Sequence, residues 1–227
     1  MGLYTYDSSD IPKSERITKL VEDLYAKMPE IESARAVLIT ESYRRTEGEP
    51  IIIRRAKAFA HILENLPIVI RDQELIVGST TIAPRGCQTY PEFSYEWLED
   101  EFDTVETRSA DPFYISEQTK QELMEHNMFT PGNYFYNGVG HVTVKYGEVL
   151  EIGFSGIRAK AEAELAKLSL ADGDYQKRSR FLEAVMISCD AAVTYARRYA
   201  KLALEEAEKC TDPVRKMELL VIAQNCA

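Results

Sequence analysis

A basic excess is missing from this sequence. Of its 227 residues, 37 are Asp or Glu and 27 are Lys or Arg, for a formal net charge of −10. Phosphate backbones are held by clustered Lys and Arg. Here the basic residues are interspersed with acids, which argues against a nucleic-acid face and makes the acidity a matter of solubility. Cysteine is scarce, and Cys87, Cys189, Cys210 and Cys226 stand far apart. With no CxxC and no Cys/His ligand spacing, a metal site is not expected. The pattern points to free thiols in a reducing cytoplasm. No apolar run is long enough to cross a bilayer. The opening MGLYTYDSSD has no apolar core of the kind a signal peptide needs. No internal repeat and no low-complexity tract occurs.

What remains is an ordinary globular composition, 45% hydrophobic and 28% charged. The length suits one large domain or two small ones. Residues 1–12 are polar and read as a mobile terminus, with the folded part running from 13 to 227. Ile17, Leu20, Val21, Leu24, Tyr25 and Met28 fall at helical spacing behind Ser14, a candidate N-cap, and Pro29 closes that helix. A second helix is expected from Glu32 to Glu47, with Ala36, Ile39 and Tyr43 inward. A third is expected from Ile51 to Asn65, with Ile52, Arg55, Ala56, Phe59, Ile62 and Leu63 inward. Ile68–Ile70 and Leu75–Gly78 read as two short β segments around a turn. Residues 79–91 read as irregular, Phe93–Phe102 as a short acidic helix carrying the single Trp97, and Lys120–Asn127 as a helix started by Ser116 and Thr119.

From Gly147 onward the chain reads as helical. Leu150, Phe154, Ile157, Ala161 and Leu165 share one face, and Gly173 breaks it. A long alanine-rich helix runs from about 175 to 210. Asp212 and Pro213 open a last helix, with Met217, Leu220 and Val221 on its apolar side. The fold class is therefore mainly α with a few short strands. That last apolar helix runs up to Ala227 without a polar tail, which reads as a piece of something longer.

The densest functional signal is Asn133–Gly147, NYFYNGVGHVTVKYG. Gly138, Gly140 and Asn137 permit a tight turn. His141 then opens an alternating run that reads as a strand. An imidazole at the mouth of a glycine turn, among aromatic rings, can meet a small polar ligand and move a proton near neutral pH. Tyr136 and Asn137 adjoin His141 and are its candidate companions in substrate binding. The ordinary roles of those two are core packing and turn formation. Tyr134, Phe135 and Tyr146 can wall a cavity or fill a core. His61 and His126 read as structural histidines, and Arg44, Arg45, Arg54 and Arg55 as members of ion pairs with nearby acids.

Three ordered stretches resemble the N-terminal part of the glycyl radical enzymes, the pyruvate formate-lyase superfamily. They begin at ERITKLVEDLY and run to ELIVGS, then cover PEFSYEWLEDEFD, then GNYFYNGVGHVTVKYGEVLEIGFSGI. The likeness is greatest to the cobalamin-independent glycerol and propane-1,2-diol dehydratases. Choline trimethylamine-lyase and hydroxyproline dehydratase share much of the first block. The resemblance implies a ten-stranded α/β barrel, incomplete here, enclosing a cysteine loop and a glycine loop. It implies a protein glycyl radical installed by a partner activase that uses S-adenosylmethionine and an iron–sulfur cluster, with no cofactor bound by this chain itself. It gives His141, in Asn-Gly-Val-Gly-His, contact with a substrate hydroxyl and a part in its departure as water.

Two departures from the family pattern stand out. Gly86-Cys87-Gln88-Thr89 lacks the glutamate of the family's Gly-Cys-Val-Glu loop, so Cys87 reads as a decoy, and no counterpart of the radical-glycine motif occurs. A helical stretch with a Tyr-Trp pair, which the dehydratases carry at the position between Leu123 and Met124, is missing. The expected activity is thus dehydration of a 1,2-diol to an aldehyde by a longer protein of which this chain is the N-terminal portion, inactive alone. The alternatives are a non-catalytic scaffold that docks onto another protein, and a formate C-acetyltransferase-like or choline lyase-like enzyme. Expected partners are a small hydroxylated substrate and the activase, with a homodimer as a candidate state and neither nucleic acid nor membrane.

Overall fold

The computed structural model describes residues 13–91, 102–109, 112–125 and 145–227. Helix α1 (Glu15–Tyr25) starts where Ser14 predicts, its hydroxyl accepting from the Ile17 amide. No residue of α1 is buried. It is tied down by Arg16, which donates to the Gln73 carbonyl at 2.8 Å and pairs with Glu218.

After Pro29 the chain is extended. Strand β1 (Glu30–Glu32) pairs in parallel with β2 (Gly86–Gln88), with Ile31 opposite Cys87. The second helix therefore begins later than the sequence suggests, as α2 (Ala34–Arg45), and the stretch expected to be irregular contains a strand. Both strands are three residues long, too short for the alternation in Glu30–Glu32 to stand out as a β pattern. Helix α3 (Ile51–Asn65) folds back on α2 through a turn in which Gly48 takes φ +84°. Ala36, Ile39 and Tyr43 are buried as expected. On α3 the inward set is Ile53, Ala56, Ala58, Ile62 and Leu63, while Arg55 and Phe59 are exposed, contrary to the expected face.

The apolar runs at 68–70 and 75–78 form no strand. Ile70 and Val77 instead pack onto the cluster of Ala203, Ala207, Leu219, Ile222 and Ala223. A β pattern needs a partner ladder, and these residues find apolar helix faces instead.

Helix α4 (Glu117–Glu125) is opened by Ser116, whose hydroxyl accepts from the Thr119 amide at 3.0 Å. Helix α5 (Tyr146–Leu165) is bent at Gly153, which takes φ 64° and ψ 178°. The long α6 (Tyr175–Lys209) has 35 residues, or about 52 Å at 1.5 Å each. It packs against α3, α5 and the last helix, α7 (Pro213–Cys226). Buried alanines 184, 191, 200, 203 and 207 let those helices approach. Asp212 caps α7 by accepting from the Val214 amide. The buried side of α7 is Leu219, Ile222 and Ala223, whereas Met217, Leu220 and Val221, the apolar residues singled out in the sequence, are exposed. A helix apolar on most of its circumference does not declare its inner face. Among the described residues the fold is mainly helical with two short strands and no barrel, a part of the larger architecture that the family resemblance implies.

Candidate functional site

His141, Tyr136 and Asn137 lie outside the described residues, as do His126 and Trp97. What is described is the frame on either side of residues 126–144. On one side α4 ends at Glu125, anchored by buried Thr119 and Leu123 and by Glu122, which accepts from Ser33 at 2.5 Å. On the other, Lys145 and Tyr146 lead into α5. Tyr146 is exposed, so it neither walls a closed cavity nor fills a core.

Gly153 governs how the chain leaves the glycine-rich stretch. Glu148 pairs with Lys145 at 2.7 Å and with Lys160 at 2.5 Å. In a straight helix, residues twelve apart are separated by about 18 Å. The bend at Gly153 brings Lys160 within reach of Glu148. Hydrogen bonds from Lys145 and Lys160, reinforced by their charges, hold the Glu148 carboxyl down at about 2.

The other sequence candidates resolve into structural roles. His61 Nε2 lies 2.9 Å from the Glu41 carboxylate and its Nδ1 is 3.1 Å from Asn65 Nδ2, so the ring bridges α3 to α2. Arg54 stacks over Tyr43 at 4.7 Å and donates to the Tyr43 carbonyl at 2.7 Å. Arg45 lies 3.5 Å from Glu41, an exposed pair. Cys87 sits on β2, with its thiol pushed up by desolvation, and carries no glutamate beside it in sequence. Cys189 is buried on α6, and burial pushes its thiol up as well. All four cysteines are free. No group of three His, Cys, Asp or Glu among the described residues could hold a metal.

A polar lattice around residues 66–89 escaped sequence reading. Arg71 donates to Glu74 at 2.8 Å and to the carbonyls of Thr81, Ile82 and Ala83. Glu32 accepts from the amides of Ile82 and Ala83 and from Gln88. From α6, Tyr195 and Tyr199 both donate to the Ser79 carbonyl at 2.9 Å. Arg198 donates to the carbonyls of Leu63 and Leu66, each at 2.6 Å. From α7, Arg215 donates to the Glu74 and Arg71 carbonyls. The trace of this in sequence is a pair of tyrosines four apart on an alanine-rich helix.

The third feature is a trough between α3, α5 and α6. A cavity of about 470 Å³ is lined by Phe59, Phe154 and Phe181, with Ala56, Ala184 and Cys189 below. It shares Ile52 and Phe181 with a second cavity of about 950 Å³ at the starts of α3 and α6. No described helix is long and apolar enough to cross a membrane.

Comparison with known proteins accords with this frame. The family model described as pyruvate formate lyase-like matches residues 10–227. The (2S)-3-sulfopropanediol dehydratase of Klebsiella oxytoca is 31% identical across 98% of this chain, which covers 31% of that enzyme. The alignment extends over 255 positions, more than the chain's 227 residues, so the relative carries insertions with respect to it. A structure concerned with 1,2-propanediol dehydration in Roseburia inulinivorans matches with a TM-score of 0.87 and 59% identity, covering 98% of this chain and 30% of that one. The glycerol-bound form of the B12-independent glycerol dehydratase from Clostridium butyricum matches with a TM-score of 0.87 and 47% identity, over 94% of this chain and 31% of that one. The chain thus spans about 30% of the length of these relatives, which are dehydratases of hydroxylated small molecules. Matched from residue 10 to residue 227, it belongs to the pyruvate formate lyase-like family, the glycyl radical enzymes.

Proposed function

We propose that this chain is the N-terminal helical scaffold of a glycyl radical dehydratase that converts a 1,2-diol, glycerol or propane-1,2-diol, to an aldehyde and water. The observation that carries the reading is 59% identity, along nearly the whole chain, to the Roseburia inulinivorans protein of 1,2-propanediol dehydration. His141 contacts a substrate hydroxyl and gives it the proton with which it leaves as water, since hydroxide is a poor leaving group. Tyr136 and Asn137 complete that side of the pocket. α4 and the Lys145–Gly153 segment fix the two ends of the stretch that carries these residues.

The cysteine and glycine loops are supplied by polypeptide outside the matched segment. The activase, with its S-adenosylmethionine and iron–sulfur cluster, acts on that portion. A cytoplasmic setting and a homodimeric assembly belong to the same proposal.

The test replaces the corresponding segment of the Roseburia inulinivorans protein with these 227 residues, then supplies activase, S-adenosylmethionine and either diol. The chimera is expected to release aldehyde. His141→Ala is expected to lower turnover by roughly a hundredfold or more, the usual range for a lost general acid. The 227-residue chain alone is expected to give none. Unchanged turnover in the His141 variant, or aldehyde from the chain alone, would overturn the reading.

A second reading, a non-catalytic scaffold that docks onto another protein, is favoured by the exposed apolar side chains of α1, α5 and α7. It predicts an inactive chimera together with a stable complex between this chain and an intact relative.

A further inference from the structure

We infer that the trough between α3, α5 and α6 is the seam on which the remainder of a family chain docks, through an apolar segment that carries a carboxylate opposite Arg55. The inference rests on the dehydratase reading only for the identity of the occupant.

The floor is aromatic and open. Phe59 is 44% exposed, Phe154 43% and Phe181 55%. Three phenylalanines facing outward in one continuous depression form an apolar patch that a self-sufficient helical protein would cover. Arg55 is the one charged residue lining the aromatic cavity, and it has no acidic partner among the described residues. The adjoining cavity carries both signs, Lys177 and Arg180 beside Glu164 and Asp174, which pair with Lys167 and Arg178. A guanidinium beside three aromatic rings favours an occupant that is apolar along its length and negatively charged at one point.

The occupant follows from the comparisons. The same scaffold, at a TM-score of 0.87, is 30% of the Roseburia inulinivorans chain. The outer groove of α7, lined by Leu75, Val214, Met217 and Val221, is the weaker seat. Its charged residue, Glu218, is already engaged by Arg16 and Arg215.

The experiment reads protection rather than activity. Phe154→Cys and Phe181→Cys are placed, one at a time, in the 227-residue chain and in the full-length chimera, and maleimide labelling at each site is followed by mass spectrometry. Labelling is expected to be at least tenfold slower in the chimera. Adding Arg55→Glu to the chimera is expected to restore it, and Arg55→Lys to leave it slow. Equal labelling rates in the two proteins would overturn the seam. So would a chimera that does not fold, because the two surfaces would then not fit. A protected trough without aldehyde retains the seam and removes the dehydratase reading. Aldehyde from a chimera with an open trough does the reverse.

Discussion

Single residues in this chain are constrained most where backbone or charge leaves no room. A Cβ on Gly86 would stand 2.4 Å from the Thr81 Cβ and 2.7 Å from a Glu32 carboxylate oxygen. Both neighbours are held, Thr81 by burial and Glu32 by the Ile82 and Ala83 amides. Gly86→Ala should therefore destabilise the fold by about 1–3 kcal/mol, read as a lowered urea midpoint at unchanged slope. Glu148 gives a second prediction. Its carboxyl is depressed to about 2 by Lys145 and Lys160. A depressed carboxyl stabilises the fold above the ordinary carboxylate pKa, near 4, and that contribution is lost as pH falls through the folded value near 2. Glu148→Gln should then lower helicity around residues 145–152 at neutral pH and match the parent below about pH 2. The difference should shrink at high salt, because the triad is exposed. An NMR titration of Glu148 showing an ordinary carboxylate value would refute this. At this scale the sequence was partly legible. Ser14 and Asp212 announce their helix starts because a cap is a local hydrogen bond. Gly86 announces nothing, because its crowding comes from residues brought next to it by folding.

Among the elements, α1 has no buried residue, and Arg16 is its main polar anchor. Its amides should exchange with solvent fastest of all the helices, and Arg16→Ala should speed them further while leaving α6 unaffected. Overlapping protection curves for α1 and α6 would contradict this. The 66–83 segment is the opposite case, irregular yet pinned. Arg198 holds the carbonyls that close α3, so Arg198→Met should cost about 2–3 kcal/mol, a charge-assisted pair being lost, measured by urea unfolding. Tyr199→Phe should cost less, because Tyr195 still reaches the Ser79 carbonyl. The apolar runs at 68–70 and 75–78 look like strands, and only the presence of α6 and α7 turns them into packing against helices.

At the scale of the whole molecule, the described residues form no single core but four separate clusters, one around β1 and α4, one between α2 and α3, one between α3 and α6, and one between α6 and α7. Distributed cores of this kind unfold in stages, so the chain alone should bind a hydrophobic dye while folded and give non-coincident transitions by far- and near-ultraviolet dichroism. One sharp, coincident transition with no dye signal would contradict that.

The sequence by itself determined the helical class, the helix starts at Ser14 and Asp212, the span of α6 and the family, because capping, periodicity and ordered motifs are local or linear properties. The tertiary structure alone decided which face of α3 and α7 is inside, that the strands are Glu30–Glu32 and Gly86–Gln88, and that three phenylalanines meet in one open trough. Each of these depends on which surfaces come together, and a helix apolar on several sides leaves that choice to its neighbours.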